Sequence, residues 1–174
     1  QSACPLGTEA WRYAALLVQG EYEKAYQVIR QTNPFPSVCA RVCDRPCEER
    51  CRLGATGNRP VAIRALKRFI TDHVDPRIYK PVRAAMPLGE VRAVAVVGSG
   101  PAGLSAAHDL SLNGFKVTVF EADEKPGGML VSGIPAYRLR RDVLEREIDS
   151  LIDENVTIKC NTALGRDFTI DSLF

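Results

Sequence analysis

"VRAVAVVGSGPAGLSAAHDLSLNGFKVTVFE", residues 91–121, decides how this chain folds. It opens on a continuous valine-rich run, 91–97, the pattern of a strand buried in a parallel sheet. Gly98, Gly100 and Gly103 then form a G-x-G-x-x-G loop. A helix is expected over residues 102–113, and "KVTVFE" (116–121) reads as a second strand. In that context each glycine has a separate reason. Gly98 permits the tight turn, Gly100 lets the backbone approach a pyrophosphate, and Gly103 lets helix and strand pack closely. The helix N-terminus adds unpaired N–H groups and partial positive charge for the phosphates. Glu121 ends the second strand, 23 residues after Gly98, placed to accept hydrogen bonds from ribose hydroxyls. An acid there disfavours a 2′-phosphate on the bound nucleotide.

Downstream, "RRDVLEREIDSLIDENV" (140–156) is an amphipathic helix and "VTIKC" (156–160) a third strand. Strands alternating with helices imply βαβ units, so residues 91–174 are expected to form a partial Rossmann-like domain with a parallel sheet. Upstream, residues 76–90 hold three prolines and a glycine with no clear period, and read as a linker. Residues 1–75 are helical in pattern. One helix is expected over 8–19, capped by Thr8 and turning Trp11, Ala14, Ala15, Leu17 and Val18 inward. A second follows over 21–32, ended by "NPFP". A third opens at Pro60, with Ile63, Leu66, Phe69 and Ile70 inward.

The helical half carries Cys39, Cys43, Cys47 and Cys51, one every fourth residue. That interval is little more than one helical turn, so the sulfurs share a face where the helix is straight. Pro46 and the short polar steps argue that part of the segment wraps as turns. Either geometry brings soft thiolates to one centre. Zinc usually takes C-x₂₋₄-C pairs separated by a longer loop, whereas iron–sulfur proteins often split neighbouring cysteines between two clusters. Cys4–Pro5 adds the Cys-Pro step that often closes an iron–sulfur motif. A disulfide framework is disfavoured, since five of the six cysteines lie in the first 51 residues and no secretory signal is visible. Cys160 is lone, which argues against dithiol chemistry near a flavin. His73 and His108 read as surface or packing residues.

The net charge of +2 in 174 residues gives no reason to expect nucleic acid or an anionic membrane as partner. No apolar run reaches the roughly 18–20 residues of a spanning helix. The chain starts at Gln1 and ends on "TIDSLF", so it is expected to be a piece of a longer protein.

The stretch "GSGPAGLSAAHDLSLNGFKVTVFEADEKPGG" resembles the FAD-binding fingerprint of two-dinucleotide-domain flavoproteins, with Ala107, Leu110, Gly114 and Val117 on its framework positions. Taken with "NPFPSVCARVCDRPCEERC", "PVAIRALKRF" and "GGMLVSGIPAYRL", the chain resembles the NAD(P)H-dependent iron–sulfur flavoproteins typified by the small (beta) subunit of glutamate synthase. The N-terminal part of dihydropyrimidine dehydrogenase looks similar. The resemblance implies a helical domain with two [4Fe–4S] clusters ahead of an adrenodoxin-reductase-like FAD domain. It implies that Cys4, Cys43 and Cys47 serve one cluster, while Cys51 serves the other with cysteines upstream of this chain. Some relatives complete the first cluster with a carboxylate or amide at a position that is Lys67 here. A protonated lysine has no lone pair to give, so Cys39 is the expected substitute. For FAD, the resemblance implies contacts from Gly98, Ser99, Gly100, Pro101, Ala102, Gly103, Glu121, Gly127, Gly128 and Met129. Arg138 is expected at the pyrophosphate and Leu164 at the adenine end. Arg140 departs from the pattern, where relatives usually have proline.

The expected function is electron input: reduced nicotinamide, bound outside this chain, to FAD, then to [4Fe–4S] clusters and a partner subunit or domain. No side chain is expected to act as an acid–base catalyst. The alternative is a non-catalytic iron–sulfur electron-transfer or docking domain, or a zinc-stapled FAD protein. The expected location is the cytoplasm.

Overall fold

The computed structural model describes residues 3–84 and 92–174. Residues 85–90 of the expected linker, and Val91, lie outside the described residues. The chain divides into two compact units, Gln1–Lys80 and Pro81–Phe174.

The first unit is helical. Helices α1 (Ala10–Val18) and α2 (Tyr22–Arg30) are joined by Gly20 at φ +79°, a conformation glycine adopts without a steric penalty. Three short helices follow: α3 (Pro36–Val42), α4 (Pro46–Glu49) and α5 (Arg52–Ala55). The eleven-residue α6 (Ile63–His73) completes the unit, with a 3-10 turn at Pro76–Ile78. Its core is Tyr13, Ala25, Tyr26, Val28, Ile29, Ile70 and Val74.

Two expectations for α1 are corrected. Trp11 and Val18 are not inward: they are 65% and 89% exposed, and the buried face carries Tyr13, with Ala10, Ala14 and Leu17 packed beside it. This helix is apolar nearly all round, so its own period does not choose a face. Packing against α2 and α6 does. Nor does Thr8 cap α1. The N-cap is Glu9, and the buried Thr8 hydroxyl meets that of Thr32 at 3.0 Å. On α6, Pro60 stays outside the helix, Ile70 is fully buried, and Phe69 is 40% exposed.

One polar cluster ties α3 to α6. The buried Arg41 guanidinium donates to the Ser37 carbonyl (3.1 Å) and to Asp72, whose other oxygen accepts from Arg68 Nε at 2.6 Å. Burial alone would raise the Asp72 carboxyl, but the Arg68 and Arg41 donors outweigh it and hold it below its ordinary value.

The second unit is a three-stranded parallel sheet in the order β1 (Ala93–Val97), β2 (Lys116–Phe120), β3 (Val156–Lys159). Val94 pairs with Val117, and Val119 with Ile158. Helix α7 (Pro101–Leu112) connects β1 to β2, and α8 (Met129–Ser132) and α9 (Arg141–Asp149) lie between β2 and β3. Ala107, Val117, Val119 and Val156 form the core. The fold class expected from the sequence is present. Strand β1 differs in one respect: it is an edge strand, its residues alternate between exposed and half-buried, and Val97 is 52% exposed. Arg83 anchors the start of this unit through Asp153 (3.0 Å) and Glu154 (2.5 Å), and Ala84 N–H bonds the Leu112 carbonyl.

Asp72→Asn is expected to cost about 1–2 kcal/mol in denaturant unfolding, because the buried Arg41 loses its counter-charge while Asp72 itself is partly exposed to water. Since the folded carboxyl lies below its unfolded value, its contribution is fully present above pH ~4 and is lost as pH falls through the folded value. The variant's stability should therefore be less acid-dependent than the parent's. A Cβ on Gly103 would stand 2.0 Å from the Gly98 carbonyl oxygen. Gly103→Ala is expected to cost about 2 kcal/mol or more, seen as a lowered Tm.

Candidate functional site

The glycine loop takes the shape its residues were expected to give it. Gly98 sits at φ +93°, its N–H bonded to the Phe120 carbonyl at 2.7 Å. Gly100 is the extended N-cap of α7, and a Cβ there would meet nothing within 4 Å, so open space lies in front of the helix N-terminus. Pro101 at the first helical position has no N–H to leave unpaired, and both Pro101 and Ala102 are exposed beside that space.

A second glycine loop is held against the first. Gly127 lies at φ +123° and Gly128 at φ +49°, and a Cβ on Gly128 would fall 3.0 Å from Gly100 Cα. Gly127 N–H donates to the Ser99 carbonyl (3.0 Å) and to the Ser99 hydroxyl (3.1 Å). Glu121, 6% exposed, accepts from Ser99 N–H at 2.8 Å, from the Ser99 hydroxyl, and from Asp123 N–H at 2.9 Å. Burial would raise this carboxyl, but the N–H of Asp123, the Ser99 hydroxyl and the Ser99 N–H together bring it below its usual value. It is therefore a carboxylate at neutral pH.

The remaining expected contacts are placed unequally. Met129 opens α8 and is 69% exposed. Leu164, 40% exposed, lies in a turn bridged to Phe168, which packs on Phe120 at 4.5 Å between ring centres. That turn is drawn beside Glu121 by Thr162 N–H bonding the Glu121 carbonyl at 2.8 Å. Arg138 is exposed. The arginine that shapes this region is Arg141, which the sequence reading passed over. Its guanidinium donates to the carbonyls of Val131 (2.6 Å), Ile134 (2.8 Å), Leu130 (3.2 Å) and Leu139 (3.3 Å), pinning the loop after Gly128. An arginine at the start of an amphipathic helix, after a proline-containing loop, was its only sequence signal. His108 is buried and meets the Leu151 carbonyl at 3.2 Å, and His73 stacks on Phe69. Both are packing residues, as expected.

In the helical unit the cysteine segment is broken into three pieces. Arg45 at φ +63° and Pro46 end any continuous helix. Cys39 lies in α3, Cys43 caps its end, Cys47 lies in α4, and Cys51 is the N-cap of α5. All six cysteines are half-buried and none is in a disulfide. Cys4, Cys43 and Cys47 are close enough to act on one another: burial raises the Cys47 thiol first, the neighbouring Cys43 and Cys4 raise it further, and Lys67 opposes them. Burial likewise raises Cys4, but donors from Thr8 and Leu6, with Lys67, bring it below the ordinary thiol value. The same three thiols help burial push the buried Tyr13 phenol up, and Lys67 Nζ lies 6.0 Å from that ring's centre.

Cys51 is held differently. The N–H groups of Val61, Gly54 and Leu53 lower its thiol. With Cys47 it lines a cavity of about 520 Å³, beside Trp11, Arg50 and Arg52. The Cys39 thiol lies 3.8 Å from Asn33 Oδ1, which also accepts the Phe35 N–H at 3.0 Å. Among the described residues no three His, Cys, Asp or Glu side chains converge tightly enough for one metal ion. A cluster of several atoms takes ligands that stand farther apart than a single ion does. Soft thiolate donors are the ligands that iron–sulfur clusters take.

Residues 1–77 match the family described as dihydropyrimidine dehydrogenase domain II, 4Fe–4S cluster, and residues 96–146 match the family of NAD(P)-binding Rossmann-like domains. The first match falls in the helical unit and the second in the unit that holds the sheet. Over nearly its whole length the chain is similar to subunits of two dehydrogenases and of glutamate synthase. It is 41% identical to the NADP(+)-dependent formate dehydrogenase subunit beta of Moorella thermoacetica, covering 98% of this chain and 27% of that one. It is 38% identical to the NAD-dependent dihydropyrimidine dehydrogenase subunit PreT of Escherichia coli (strain K12), covering 98% and 41%. It is 36% identical to the glutamate synthase [NADPH] small chain of Azospirillum brasilense, covering 99% and 36%. The chain thus spans about a quarter to two fifths of these relatives. Among the described residues no helix is long and apolar enough to cross a membrane.

In metal-free protein near pH 7.5, Cys51 is expected to react with iodoacetamide faster than Cys47 or Cys160. Its thiol is lowered by N–H donors, whereas burial raises the other two, and the thiolate is the reactive form. Peptide mass spectrometry of timed samples reads the order.

Proposed function

We propose that this chain is the electron-handling part of an NAD(P)H-dependent oxidoreductase. The Rossmann-like unit would hold FAD, and the helical unit would hold [4Fe–4S] clusters. The observation that carries the reading is the pairing, in one chain, of sulfurs from three segments with a glycine loop backed by a buried ribose-type carboxylate. When bound, these groups supply hydride acceptance from reduced nicotinamide and onward release of single electrons.

The residues of the chain bind and position. Cys4, Cys43 and Cys47 would ligate one cluster, and Cys51 would serve a second. Cys39 is the fourth-ligand candidate, and to serve it must give up its contact to Asn33 Oδ1 and turn as a thiolate. Lys67, near Cys4 and Cys47, places positive charge beside the ligands. Gly98, Gly100, Gly103 and the first turn of α7, with Ser99, Pro101 and Ala102, would cradle the pyrophosphate. Glu121 would accept the ribose hydroxyls. Gly127, Gly128 and Met129 would border the nucleotide, with Leu164 at the adenine and Arg138 reaching the phosphates on closure. FAD is favoured over NAD(P) here by the Gly127–Gly128 pair packed against the phosphate loop and by the fingerprint continuing to that pair. The nicotinamide site would lie in the part of the relatives that this chain does not span, and the electrons would pass to a partner subunit or domain. Thiols kept free for clusters suit a reducing compartment such as the cytoplasm.

Iron, acid-labile sulfide and releasable flavin are measured on protein purified without oxygen. Iron matching sulfide, with a broad visible absorption that bleaches on reduction, and FAD released by heat, are the expected results. Zinc without sulfide would remove the electron-transfer role.

A further inference from the structure

Ser99 is the first variable position of the glycine loop, where the motif itself asks nothing of the side chain. Yet its side chain is placed with more constraint than any phosphate-loop glycine. The residue is 0% exposed. Its hydroxyl donates to Glu121 Oε2 and accepts the Gly127 N–H at 3.1 Å. Its own N–H donates to the same Glu121 oxygen at 2.8 Å, and its carbonyl takes the Gly127 N–H at 3.0 Å. One residue of the first loop therefore holds both the acid at the end of β2 and the second glycine loop.

The consequence lies in the lone pairs. A carboxylate offers about four acceptor sites. Ser99 takes two on Oε2 and Asp123 N–H takes one on Oε1, at 2.9 Å. The Ala122 N–H is a further donor to this carboxylate. With both Ser99 donors on Oε2, a ribose hydroxyl would be taken at Oε1, in competition with backbone N–H groups. The backbone donors of Ser99, Ala122 and Asp123 are fixed by the chain, and the Ser99 hydroxyl is the one side-chain donor among the four.

We propose that Ser99 is a positioning residue for nucleotide binding. Its backbone lies in the loop, but its hydroxyl does not touch the nucleotide: the hydroxyl orients Glu121 toward the ribose of the adenosine half and keeps the Gly127–Gly128 loop in register with that acid. This rests on the reading that the loop binds a dinucleotide through Glu121. Ser99 acts through Glu121, so its effect disappears when Glu121 can no longer accept as a carboxylate.

A double-mutant cycle on the complete protein tests this, with thermal unfolding of each variant as the folding check. Binding of FAD is read by flavin fluorescence. Binding of ADP, which carries the adenosine ribose of either dinucleotide, is read by calorimetry. Ser99→Ala should raise Kd roughly tenfold, the scale of one hydrogen bond to a charged group. In the Glu121→Gln background the same substitution should raise it less than about twofold. Ser99→Cys, close in size but a weak donor, should behave as Ser99→Ala does and covers the case in which alanine fails to fold. An equal loss in both backgrounds would mean that Ser99 only fills space, and would overturn the proposal while leaving the binding site intact. Unchanged Kd in Glu121→Gln alone would overturn the ribose role of Glu121, and the proposal with it.

Discussion

A methyl group at position 103 would sit 2.0 Å from the carbonyl oxygen of Gly98. That contact sets the geometry of the Rossmann-like unit. Because residue 103 has no side chain, α7 begins directly over the end of β1, and its N-terminus faces open space at Gly100. The same economy of atoms recurs at Gly128, which approaches Gly100 Cα too closely for a side chain to fit without a shift. Two loops separated by some 28 residues of sequence are thus brought into one layer, and Ser99 joins them to Glu121 through hydrogen bonds. The glycines make the approach sterically available, and the polar contacts give it a single register.

The helical unit solves a different problem. Its sulfurs come from a turn near the N-terminus and from a segment that cannot be one helix, because Arg45 is left-handed and Pro46 lacks an N–H. The α4–α5 part of that segment has little hydrophobic burial of its own, since neither helix contains a buried residue, whereas α3 buries Val38 and Ala40. It is held by polar ties to α6. Arg64 N–H donates to Glu48 at 2.7 Å, Arg64 Nη1 donates to the Cys43 carbonyl at 2.6 Å, and Arg41 pairs with Asp72. Ties of this kind fix the backbone around the cysteines while leaving the thiols half-buried and unbonded to one another. Family matches to a 4Fe–4S domain fit that arrangement.

The glycine loop was legible because each of its requirements is local. A strand, a tight turn, a close approach and a helix start all fall within a dozen residues, and each demands a residue type. Glu121 was legible for the same reason, at the end of the next strand. Trp11 was misread because α1 offers two apolar stripes of equal period, and only the surfaces of α2 and α6 distinguish them. The valine run of β1 suits a strand flanked on both sides, and in this three-stranded sheet β1 has one neighbour. Arg141 was passed over because an arginine that satisfies four backbone carbonyls looks, in sequence, like any other charge at a helix start.

By itself, then, the sequence determined the two kinds of architecture, the glycine loop with its strand and helix, the acid at the end of β2 and the pool of cysteines, since each follows from short-range rules of spacing and residue type. Tertiary structure decided which face of α1 is core and which arginine pins the loop after Gly128. It also brought Cys4 near Cys43 and Cys47, as the resemblance implied, and decided that a serine hydroxyl links two loops to one carboxylate. These are contacts between residues far apart in the chain, and their free energy exists only once packing has brought the partners within reach.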